Sequence, residues 1–65
     1  MILKLRQERI RRGWKLSDVA EKVGTTKATI QMLETGQRKP SYDVLVKLED
    51  LFHMNHRKLF EEQKE

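Results

Sequence analysis

Two histidines, His53 and His56, stand three residues apart. That spacing could put both rings on one helical face, as metal ligands or as an acid paired with a base. The chain has no cysteine. No third ligand stands near the pair and a helix break falls between the two rings, so a surface or junction role accounts for them, and neither a metal nor a cofactor is expected. Ser17 and Asp18 with Lys22 are explained by the first turn of a helix and need no nucleophilic chemistry. No enzymatic constellation is left. What remains is charge: 14 Lys/Arg against 10 Asp/Glu, a net +4. Residues 1 to 40 hold ten bases and four acids, a local excess of +6, whereas residues 41 to 65 hold four bases and six acids, a local −2. A polyanionic partner would meet the first forty residues.

The elements that must position this charge are few. Apolar residues make up 37% of the 65 and charged residues another 37%, so a third of the chain builds the core while another third stays wet. A chain of this length buries only about 60% of the surface its unfolded form exposes. That leaves no volume for a deep cavity between domains and disfavours enzymes with large cofactors. Without cysteine there are no disulfide staples. The longest apolar run is three residues, so neither a signal peptide nor a membrane span is read, and a cytoplasmic setting is expected. Met1 and the polar tail suggest a complete chain.

Strand signals are close to absent, because β-branched and polar residues nowhere alternate over a strand length. Breaks at Gly13, Gly24 to Thr26, Gly36 to Pro40 and His53 to Asn55 divide the chain into five short helices. These run from about Leu3 to Arg12, Leu16 to Val23, Lys27 to Thr35, from just after Ser41, and from just after Asn55. Residues 1–60 form one all-α domain, and the polar residues 61–65 are expected to fray. Leu16, Val19, Ala20 and Val23 follow i, i+3, i+4, i+7 spacing and must be buried. Thr26, Ser41 and Asn55 are expected N-caps.

The second and third helices with their short turn place specific demands on sequence. Two helices crossing closely need a small residue at the contact, and Ala20 supplies it. Gly24 supplies the left-handed turn four residues later, Ile30 packs back six residues after that, and Val19, Val23 and Leu33 fill the flanking inward positions. Gln31 lies one turn after Lys27 on the face opposite Ile30 and Leu33.

With these residues in place, the chain resembles the XRE-type helix-turn-helix domain of lambdoid phage repressors and Cro proteins, over roughly Leu3 to Phe60. The matching segments are Leu5-Arg6, Arg9-Ile10, Gly13-Trp14, the run Ala20 to Gly36, Lys39-Pro40-Ser41, Leu45 with Leu48, and Leu59-Phe60. The resemblance implies a five-helix domain that binds duplex DNA as a two-fold dimer, the third helix in the major groove. It places base-facing positions on Lys27, Ala28 and Met32, and geometry adds Gln31. Lys27 can donate to guanine O6 and N7 or to a phosphate, Gln31 can bond adenine N6 and N7, and Ala28 and Met32 can touch a thymine methyl. The alternatives are a solvated face for Lys27 and Gln31 and slack packing for Met32. Thr26, Gln37, Arg38 and Lys39 match the family's backbone-contacting sites, with Ser41 beside them; for Arg38 and Lys39 the alternative is a wet loop. Leu16 stands where most members open the second helix with a glutamine, and Lys15 where they have a Ser/Thr cap. Lys15 would then replace that phosphate contact electrostatically, at a helix start expected to be less well ordered. Arg9 and Glu34 match a partly buried structural ion pair, and Trp14 is expected to cover the junction of the first two helices.

The function expected is a sequence-specific DNA-binding regulator, a Cro-like repressor acting as a homodimer on a palindromic operator, with no small-molecule ligand. Apolar groups in the last third, Phe52, Met54, Leu59 and Phe60, are the expected dimer contact. The rival is an antitoxin or adaptor module that uses the same fold for protein interaction. Charge placement separates the two, since an adaptor has no need of bases at the start of the third helix and in the loop after it.

Overall fold

A computed structural model describes residues 2–63. Five helices, α1 (Lys4–Arg11), α2 (Leu16–Val23), α3 (Lys27–Glu34), α4 (Tyr42–Phe52) and α5 (His56–Leu59), enclose one core. Leu5, Val19, Ala20, Val23, Ile30, Leu33, Leu48, Phe52 and Leu59 fill it, drawn from every helix. The α2 face is the one its spacing requires: Val19, Ala20 and Val23 are buried and Leu16 packs half-buried against them.

The turn between α2 and α3 is closed by main-chain bonds. The Thr25 N–H donates to the Ala20 carbonyl at 2.9 Å and the Gly24 N–H to the Glu21 carbonyl at 3.3 Å, with Gly24 left-handed at φ 74°. This is the Schellman arrangement, which satisfies the last carbonyls of a helix and needs a residue free of a Cβ penalty at its bend. The Thr26 side chain then accepts from the Thr29 N–H to start α3. Ser41 accepts from Val44 and Asn55 from Arg57 to start α4 and α5.

Three expectations change. Phe52 and Leu59, assigned to a dimer contact, are 1% and 0% exposed. A core built from short helices needs both large side chains, so neither is free to meet a partner in this fold. Glu62–Gln63, placed in a fraying tail, instead forms β2, antiparallel to β1 (Ile2–Leu3), with Leu3 opposite Glu62; the Lys4 N–H donates to the Glu61 carbonyl at 2.9 Å. A two-residue ladder is made of backbone groups and leaves no side-chain alternation to read. Lys64 and Glu65 lie outside the described residues. The start of α2 is also better held than Lys15 alone implies, because the Asp18 carboxylate accepts the Lys15 N–H at 2.8 Å, half of a capping box.

Candidate nucleic-acid interface

The inward side of α3 carries Ile30, Leu33 and Glu34, all buried. Helical geometry therefore turns Lys27, Ala28 and Gln31 outward, and all three are exposed. Met32 sits at the border, half-buried. The outward row thus offers a cation, a small apolar spot and an amide within one turn of each other.

Glu34 holds this helix in place. Its Oε2 accepts from Arg9 Nε at 2.6 Å and its Oε1 from Arg9 Nη2 at 3.2 Å, a forked pair between α1 and α3. Arg9 Nη1 also donates to the Trp14 carbonyl at 2.9 Å. Glu34 is only 4% exposed. With both oxygens matched to a planar donor, the buried charge is compensated and the register of α3 against α1 is fixed.

After α3 the chain turns at Gly36, left-handed at φ 76°, where the Gln37 N–H donates back to the Met32 carbonyl at 2.9 Å. This bend throws Gln37, Arg38 and Lys39 into solvent, and all three are exposed. Ser41 follows, its Oγ accepting the Val44 N–H at 3.3 Å, which leaves its own hydroxyl proton free to donate outward. Thr26 at the other end of α3 is exposed and shares a 2.9 Å hydroxyl contact with Thr29.

The acids of the first forty residues are largely committed elsewhere. Glu8 takes Arg11 at 2.8 Å and Arg12 at 2.5 Å, and these two bonds hold its pKa down to about 2. Glu34 takes Arg9, and Asp18 caps α2. Among the described residues the ion pairs use Arg9, Arg11, Arg12 and His56, so Lys15, Lys27, Arg38 and Lys39 keep their charge unpaired and exposed. These four bases stand at the starts of α2 and α3 and in the loop after α3, while Lys4, Arg6 and Lys22 on α1 and α2 also lie outside the ion pairs.

Residues 5–59 match the family described as helix-turn-helix. The chain is a member of the XRE-type helix-turn-helix family. Among solved structures, this helix-turn-helix domain is similar to the N-terminal DNA-binding domain of SinR from Bacillus subtilis, with 29% identity, a TM-score of 0.74, and coverage of 94% of this chain and 90% of that one. No curated protein matches it.

Two features of the domain escaped sequence reasoning. Arg12 donates to the Phe52 carbonyl at 3.1 Å and lies 5.0 Å over the Phe52 ring, tying the end of α1 to the end of α4; the two residues are 40 apart, and no local spacing marks the contact. Tyr42, 78% exposed on the first turn of α4, follows directly on Ser41 and carried no pattern that marked it. Trp14 packs edge-on against Phe52, centroids 5.5 Å apart, so it bridges to α4 as well as covering the α1 and α2 junction.

Proposed function

We propose that this helix-turn-helix domain is a sequence-specific transcriptional regulator, a Cro-like repressor that binds a palindromic operator in duplex DNA as a homodimer with α3 in the major groove. The observation that carries this reading is the exposed row Lys27, Ala28 and Gln31 on a helix whose rear is locked by the Arg9 and Glu34 fork. Lys27 and Gln31 present donors and an acceptor suited to purine edges, and Ala28 and Met32 suit a thymine methyl. Lys15, Thr26, Gln37, Arg38, Lys39 and Ser41 clamp phosphates on either side, which fixes the register from which bases are read. The similar SinR domain is a DNA-binding one, in support of the same partner here. Met54 and Phe60, half-buried at the edge of the core, are the apolar groups left for a second copy. Two-fold pairing then sets half-sites about 34 Å apart.

Selection from a random duplex library at two salt concentrations tests the reading. Enrichment of a palindrome whose half-sites lie one helical turn apart is the expected result. Absence of binding even at low salt would overturn it and point to the protein-interaction alternative.

A further inference from the structure

A groove of about 510 Å³ opens between the loop after α3 and the α5 side of the domain. Leu3 and Leu33 form part of its floor, and Pro40, Leu45 and Phe60 its apolar walls. Arg38 and Lys39 stand at its rim with Glu62 and His56. His56 is turned to Glu49, whose Oε2 lies 2.8 Å from Nδ1, and Glu62 adds one negative charge to the rim without an ion pair to either base. The rim therefore keeps about one uncompensated positive charge above an apolar interior. The volume lies within the roughly 300–1,000 Å³ typical of small-ligand sites, which combine apolar walls with few polar groups.

We infer that this groove binds an amphiphilic monoanion, an apolar chain ending in a single carboxylate, and that its occupation competes with nucleic acid for Arg38 and Lys39. The charge at the rim selects the carboxylate, and the leucine and phenylalanine surfaces take the chain. The competition rests on the phosphate-clamping role proposed above for the same two bases; binding of the amphiphile does not, and because its Phe60 wall is also proposed above to meet a second copy, the duplex arm is read with the oligomeric state followed alongside.

The probe is decanoate, titrated below its micellar concentration into the ¹⁵N-labelled full chain. Saturable shifts confined to amides around Gly36, Leu45 and Phe60 are expected, with octanoate weaker by about tenfold for the two methylenes lost from an apolar site. Glu62→Gln, which removes the like charge at the rim, should tighten decanoate by about two- to fivefold. Leu45→Glu should abolish saturation with the helical circular dichroism unchanged; if that variant does not fold, Glu62→Gln decides. Equal affinity for decyltrimethylammonium, or shifts scattered over the whole surface, would overturn the site. In the second arm, decanoate at saturation should raise the apparent Kd for a labelled duplex. Duplex binding unchanged by bound decanoate would overturn the competition. A chain that binds decanoate but no duplex at all would sink the proposed function and leave the groove standing.

Discussion

Gln31 and Arg38 are both exposed polar residues near α3, yet they sit where different work is done. Gln31 lies mid-helix on the outward row, whereas Arg38 lies in the loop thrown out at Gly36. Gln31→Ala should therefore cost about 1–3 kcal/mol at one operator position and relax the base preference there, while Arg38→Ala should weaken all duplexes alike and reduce the salt slope by about one. Binding isotherms on matched and mismatched duplexes at several salt concentrations separate the two; identical behaviour would cancel the assignment. Arg9 belongs to stability. Arg9→Met strands the buried Glu34 carboxylate and should lower unfolding free energy by about 3 to 5 kcal/mol, read from urea titration, with Glu34→Leu added to it restoring much of the loss. The fork joins residues 25 apart in sequence. No local pattern announces it, and only the family likeness singles it out. The exposed face of α3 was legible from spacing alone, because burial of Ile30 and Leu33 dictates which residues turn outward.

Helix ends explain why the elements were readable. Three N-caps, Thr26, Ser41 and Asn55, accept from amides two or three residues on, and Gly24 and Gly36 close α2 and α3, each a residue type with a specific local task. The longest helix departs from this pattern. At the end of α4 the left-handed position falls on His53, φ 54°, with the Met54 N–H donating to the Glu49 carbonyl at 3.3 Å. A side chain with a Cβ is strained there by about 1–2 kcal/mol. His53→Gly should thus raise the unfolding free energy by up to about 1 kcal/mol after the extra chain entropy of glycine is offset, and the thermal midpoint with it; a drop would mean the imidazole makes a contact that outweighs the strain. The pairing of β1 with β2 was illegible for the opposite reason, since two residues on each side leave no periodicity. The groove beside it is assembled from separated segments of the chain, and no single stretch carries its signature.

Over the whole molecule, stability should depend on acid through Glu8. Its carboxylate, bonded first to Arg11 and then to Arg12, titrates at about 2 in the folded chain against an ordinary 4.5. Above pH 4.5 it is ionised in both folded and unfolded chains and its contribution is complete; as pH falls from 4.5 toward 2 the unfolded chain takes up the proton first and the contribution is lost. Urea midpoints measured across that window should fall, and Glu8→Gln should flatten the fall; an unchanged slope would remove Glu8 from the account. The same region holds the chain's one tryptophan. The Trp14 ring lies edge-on to Phe52 of α4, with Lys22 of α2 5.2 Å from its centroid, and its carbonyl receives the arginine of α1 that holds Glu34. The indole thus meets Phe52 of α4 and Lys22 of α2, and Arg12 at the end of α1 lies 5.9 Å from its centroid. The domain thereby carries its own optical gauge: separation of these elements should change the emission of that ring, read across a urea titration.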